Sequence, residues 1–64
     1  MFMKYQQAIK ILRKNLLLTQ EEFASMLEVS FESVNRWENG KCEPTMKIKR
    51  KIAPLFRKWK INVD

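Results

Sequence analysis

Sixty-four residues with a formal charge of +6 allow one small domain with a modest core, and the basic excess points to an acidic partner, most simply nucleic acid. A hydrophobic content of 45% with one Gly and two Pro favours folding over disorder and leaves little room for the tight turns of an all-β fold. The single cysteine, Cys42, and the absence of histidine exclude an internal disulfide and any zinc site of usual spacing, so no metal or cofactor is expected.

The elements follow in chain order. Met1 to Tyr5 reads as a partly ordered lead-in, and the short MFMKYQQ start lacks the apolar core of a signal peptide. From Tyr5 to Leu16, Tyr5, Ala8, Ile9, Leu12 and Leu16 recur at the three- and four-residue spacing of an amphipathic helix. Thr19 and Glu22 form a capping box that opens a second helix, with Phe23, Ala24 and Leu27 as its apolar stripe. Ser30 caps a third helix that runs to Glu38 and stops at Asn39-Gly40, where Gly can take a left-handed conformation. Lys41 to Pro44 is a loop, and Thr45 is expected to cap a fourth helix. Along it Ile48, Ile52, Leu55, Phe56 and Trp59 share one side, and Lys47, Arg50, Lys51, Arg57 and Lys58 another. Pro54 interrupts this pattern, so the spacing predicts a kink or a break near Ala53, with Pro54 opening a short fifth helix. Lys60 to Asp64 is too short for a further element, although Ile61 and Val63 are apolar enough to dock. No apolar run reaches membrane-spanning length, and a reducing, cytoplasmic setting is expected.

The third helix divides cleanly at 100° per residue. Val34 and Trp37 share one side with Ser33 and Glu38. Phe31, Glu32, Asn35, Arg36 and Asn39 share the other. That outer side carries a guanidinium for guanine, an amide for adenine, a carboxylate for cytosine and an aromatic ring for a thymine methyl, all of which a major groove presents. An ordinary surface helix, polar only for solubility, has the same periodicity. Phe31 fits a thymine contact or a fold back over Leu27 and Val34 equally well. The charge is uneven: five basic residues up to Gly40 are matched by five Glu, and the excess begins at Lys41. The basic stripe of the fourth helix reads as a DNA-backbone contact, as a solvated face, or as a surface for anionic lipid.

Leu18-Thr19-Gln20-Glu21-Glu22-Phe23-Ala24, Val29-Ser30, Val34, Arg36, Glu38-Asn39-Gly40-Lys41 and Pro44 resemble the helix-turn-helix domain of the phage Cro/repressor (XRE) family. The resemblance implies an all-α, lambda-repressor-like domain of four or five helices over residues 1–64, with the helix-turn-helix at helices 2 and 3. It implies that Arg13 pairs with Glu38 and that Gln20 bonds a phosphate at a helix N-terminus, beside Thr19, Ser30 and Lys41. The alternatives are a solvated Arg13 and a tolerated Gln20. Glu28 departs from the pattern, for the family usually has Gly in that turn, where φ is often positive.

An enzyme is hard to assemble from these residues, with no His, no Ser beside a base, and acidic groups better explained as caps or ties. The remaining contest is between a sequence-specific regulator of transcription, most simply a repressor, and a protein-binding module of the same fold with weak DNA binding, such as an antitoxin. The regulator is expected to pair as a homodimer on two half-sites, through a C-terminal patch of Leu55, Phe56, Trp59, Ile61 and Val63.

Overall fold

The computed structural model describes residues 2–63; Met1 and Asp64, the ends of the expected lead-in and tail, lie outside the described residues. Four helices follow one another: α1 Tyr5–Asn15, α2 Gln20–Leu27, α3 Phe31–Glu38 and α4 Met46–Lys58. Each presents a narrow apolar stripe. Ile9 and Leu12 of α1, Phe23 of α2, Val34 of α3 and Ile52 of α4 lose all solvent contact at the centre. Helices α2 and α3 have only eight residues each, too short to persist alone, so their stability comes from this shared core. The fold is all-α.

The helix starts follow local chemistry. Thr19 Oγ1 accepts from the Glu22 N–H at 3.1 Å, and Glu22 Oε1 accepts from the Thr19 N–H at 2.9 Å, completing the capping box. Ser30 Oγ accepts from the Ser33 N–H at 3.2 Å. Thr45 occupies the N-cap position of α4, but its side chain makes no capping bond, contrary to expectation.

All four helices close in the same way. Leu17, Glu28, Gly40 and Lys60 take positive φ of 59°, 60°, 74° and 56°. In each case that residue and the next send their N–H groups back to the last turn: Leu17 to Lys14, Leu18 to Arg13; Glu28 to Ser25, Val29 to Ala24; Gly40 to Trp37, Lys41 to Arg36; Lys60 to Arg57, Ile61 to Phe56. This is the Schellman arrangement, which satisfies carbonyls that a helix end would otherwise leave bare. Only one of the four left-handed positions is Gly. At Leu17 the strain has no visible compensation, since the side chain is 89% exposed. Leu17→Gly is therefore expected to stabilise the domain by about 1 kcal/mol, the relief of Cβ strain exceeding the added flexibility of the unfolded chain. A thermal melt should show a rise of about 4–8 °C; no rise would mean that Leu17 packs in a way its exposure does not reveal.

In the C-terminal third one of the two alternatives at Pro54 is excluded and the place of Trp59 is corrected. Helix α4 runs through Pro54 without a break, and no fifth helix occurs among the described residues. Pro54 is exposed, as is Arg50, whose carbonyl loses its partner, so water can satisfy that oxygen. Ile52 before the proline and Phe56 after it are both buried and hold the helix to the core on either side. Trp59, expected on the core side, is 40% exposed. It lies just past the last helical residue, and the turn at Lys60 delivers Ile61 to the core in its place. At the other end the partly ordered lead-in is held at Met3. Its N–H donates to the Asn62 carbonyl at 2.9 Å, and Met3 pairs with Val63 in a single parallel bridge. Tyr5 packs its ring 6.2 Å from that of Phe56.

Candidate nucleic-acid interface

Helix α3 is fixed from behind and open in front. Val34 and Trp37 are buried against α1 and α2 with the rest of the core, and Glu38 is 3% exposed. On the opposite side Glu32, Arg36 and Asn39 are exposed and Phe31 is 42% exposed. Except at Asn35, both faces are those that the helical spacing predicts. Phe31 is neither fully solvated nor part of the core.

The rear anchor is an ion pair. Arg13 Nε donates to Glu38 Oε2 at 2.6 Å and Arg13 Nη2 to Glu38 Oε1 at 3.0 Å, the two-pronged geometry that a guanidinium makes with a carboxylate. Arg13 Nη1 also donates to the Leu18 carbonyl at 3.0 Å, so one side chain ties α1 both to the connection before α2 and to the end of α3. Burial by itself raises the pKa of Glu38. The hydrogen bonds from Arg13 and Gln20, with the charges of Arg13 and Lys10, outweigh it and hold the carboxyl below its ordinary value. The Glu38 bond in turn raises Arg13.

From this pair a chain of amides runs out to the surface. Gln20 Nε2 donates to Glu38 Oε1 at 3.0 Å. Asn35 Nδ2 donates to Gln20 Oε1 at 3.2 Å, and Asn39 Nδ2 donates to Asn35 Oδ1 at 2.9 Å. Five residues from three helices and a helix end thus share one polar network. It fixes which edge of the Gln20 and Asn35 amides points outward, because the oxygen of each accepts from a named donor. Gln20 stands at the start of α2 as expected, but it reaches across the face instead of standing free. Its second amide hydrogen and that of Asn35 remain available to a ligand. Asn35 is half-buried, deeper than its place on the helical wheel implies. The Thr19 and Ser30 hydroxyls serve first as caps, and Lys41 lies exposed just past α3.

The link between Gln20 and Asn35 had no counterpart in the sequence reading. Fifteen residues separate them, and only the angle between α2 and α3 brings them together. The basic stripe of α4 is not uniformly free either. Lys49 bonds Glu43 at 2.9 Å and lies 4.5 Å from the centre of the Tyr5 ring, whereas Lys51 reaches the end of α2. Among the described residues no helix is long and apolar enough to cross a membrane.

Comparison with known proteins agrees with this geometry. The sequence profile of the helix-turn-helix family matches residues 9–57. The HTH-type transcriptional activator BcrR of Enterococcus faecalis is 35% identical over 54 residues, 84% of this chain and 26% of its own length. The HTH-type transcriptional regulator DicA of Escherichia coli (strain K12) is 46% identical over 41 residues, 64% of this chain and 30% of its own length. The chain thus spans less than a third of either relative. No solved structure matches at a significant level. The capping box, the left-handed turn and the open face of α3 all fall within the matched residues, and the chain belongs to the helix-turn-helix family of the Cro/repressor (XRE) type.

Proposed function

We propose that residues 1–64 form a DNA-binding domain of a transcriptional regulator and that α3 enters the major groove. The observation that carries this reading is the face of α3, with Phe31, Glu32, Arg36 and Asn39 open to solvent over a helix that Val34, Trp37 and the Arg13–Glu38 pair hold in place. In that pose Arg36 reads guanine, Glu32 accepts from cytosine, the Phe31 ring meets a thymine methyl, and the outward amide hydrogens of Asn35 and Asn39 contact neighbouring edges. Thr19 and Gln20 at the start of α2, Ser30 at the start of α3 and Lys41 after it flank the groove and contact the phosphates. Both relatives are named as transcriptional regulators, which supports the same role here and gives no support to an enzymatic one. Repression is the simpler sign, because occupying an operator needs only the DNA face. The setting is the cytoplasm, on the nucleoid.

One short helix contacts few base pairs, so we place two copies on half-sites about one helical turn apart. The pairing patch is smaller than the sequence suggests. Phe56 and Ile61 are consumed by the core, leaving exposed Trp59 with half-buried Leu55 and Val63.

Selection of bound sequences from a random duplex pool at two salt concentrations tests the proposal. The expected result is a two-fold symmetric motif that persists at the higher salt, with log affinity falling linearly with log salt. Uniform binding that vanishes at the higher salt, with no motif recovered, would overturn the specific reader and favour a protein-binding module of the same fold.

A further inference from the structure

Lys51 stands 24 residues from the end of α2 in sequence, yet its Nζ donates to the Leu27 carbonyl at 3.0 Å and lies 3.6 Å from Glu28 Oε2. Leu27 ends α2, so its carbonyl lacks an intrahelical partner, and a cation there meets the negative end of the helix dipole. Glu28 follows with φ 60°, a conformation its Cβ resists, and with a carboxylate at the end of the helix where negative charge is least welcome. At this turn sequence and required conformation conflict, and one ammonium group from α4 answers both problems. It is also the hydrogen bond that joins α4 to α2 or α3 among the described residues; otherwise they meet through the shared apolar core. A cleft of about 440 Å³, with Val29, Trp37 and Ile48 among its walls, opens beside the contact, so little else braces the turn from that side.

We propose that Lys51 is a positioning residue for DNA reading. By bracing the left-handed turn it fixes the direction in which α3 leaves α2, and it does so without touching DNA. The basic stripe of α4 therefore divides by role: Lys51, though partly open to solvent, bonds the end of α2, while Lys47 and Arg50 are exposed with no such bond among the described residues. The inference rests on the DNA-binding reading for its affinity readout, and on the turn alone for its exchange readout.

The test compares wild type, Lys51→Met, Lys51→Arg, and Lys51→Met combined with Glu28→Gly, all well below their melting temperatures. Met keeps the apolar stem and removes the charge. Amide exchange at Glu28 and Val29 should rise about tenfold in Lys51→Met, with that at Ile9 and Leu12 unchanged. Affinity for the selected duplex should fall about five- to tenfold, with affinity for random duplex and the salt slope unchanged. Lys51→Arg should retain the wild-type values, and Glu28→Gly should recover most of the loss, because Gly adopts the turn without steric strain. The double variant also keeps the test readable if Lys51→Met alone does not fold. An equal loss on every duplex with the salt slope reduced by about one would make Lys51 a phosphate contact and overturn the proposal. Unchanged exchange and binding would overturn it too. A wild-type protein that selects no duplex defeats the DNA-binding reading and this residue's part in it, while the exchange rates still decide whether Lys51 braces the turn.

Discussion

Arg13→Ala is expected to destabilise the domain by about 3–5 kcal/mol, the range for breaking a buried ion pair by removing one partner. For 64 residues the whole folding free energy is on the order of 3–10 kcal/mol, so the variant should be largely unfolded at 37 °C. The loss is large because Glu38 stays behind. Its carboxylate is 3% exposed and would keep only the Gln20 bond. Arg13→Lys should recover little, since an ammonium cannot reproduce the two parallel bonds to Glu38 and a third to the Leu18 carbonyl. Glu38→Gln should be milder, because an amide keeps one acceptor for Arg13 and removes the buried charge.

The same pair sets the acid limb of stability. Glu38 has a folded-state pKa below its ordinary value of 4.5. Its contribution is therefore complete above the unfolded-state value and is lost as pH falls through the folded-state value. Without Arg13 the largest remaining influence is burial, which pushes the carboxyl up. Any folded Arg13→Ala should then begin to lose stability at higher pH than wild type. Urea melts followed by circular dichroism between pH 3 and pH 7 measure both effects; a loss under about 1 kcal/mol at pH 7, typical of a surface ion pair, would mean that the anchor is not a buried one.

Which features were legible in the sequence depended on how local their causes are. The capping box at Thr19 and Glu22 and the cap at Ser30 need three residues each, and both form where the side chains require. The left-handed ends at Leu17 and Lys60 escaped because no Gly marks them. A signal was present, though: Leu18, Val29 and Ile61 supply the apolar residue that commonly follows such an end and packs back on the helix. Pro54 misled in the opposite direction. A local rule allowed a kink or a break, and the helix continues through Pro54 with Ile52 and Phe56 buried on either side. The Arg13–Glu38 contact, 25 residues apart, was reached through family resemblance and not through spacing. The amide chain and the Lys51 brace depend on interhelical angles that no single segment encodes.

Arg36→Ala should have the largest effect on DNA recognition with the smallest effect on folding. Among the described residues the Arg36 side chain forms no hydrogen bond or ion pair, and it is exposed on the open face of α3. Its removal should leave stability within about 0.5 kcal/mol of wild type. If Arg36 grips a guanine with two bonds, affinity for the selected duplex should fall about 10- to 100-fold, and preference should relax at one base pair of each half-site. Arg36→Lys separates readout from charge. It keeps a cation near the phosphates but lacks the planar fork, so most of the discrimination should be lost while binding to random duplex is retained. Lys41→Ala should show the converse, a uniform loss on every sequence and a salt slope lower by about one. Glu32→Ala completes the set: if Glu32 accepts from a cytosine amine, its removal should relax a second position, not simply strengthen binding everywhere. Competition titrations against the selected duplex and its single-base variants distinguish these patterns. Should Arg36→Ala lower affinity equally for all of them, α3 would be holding the backbone and not reading bases. The sequence preference would then have to arise from DNA shape or from another element.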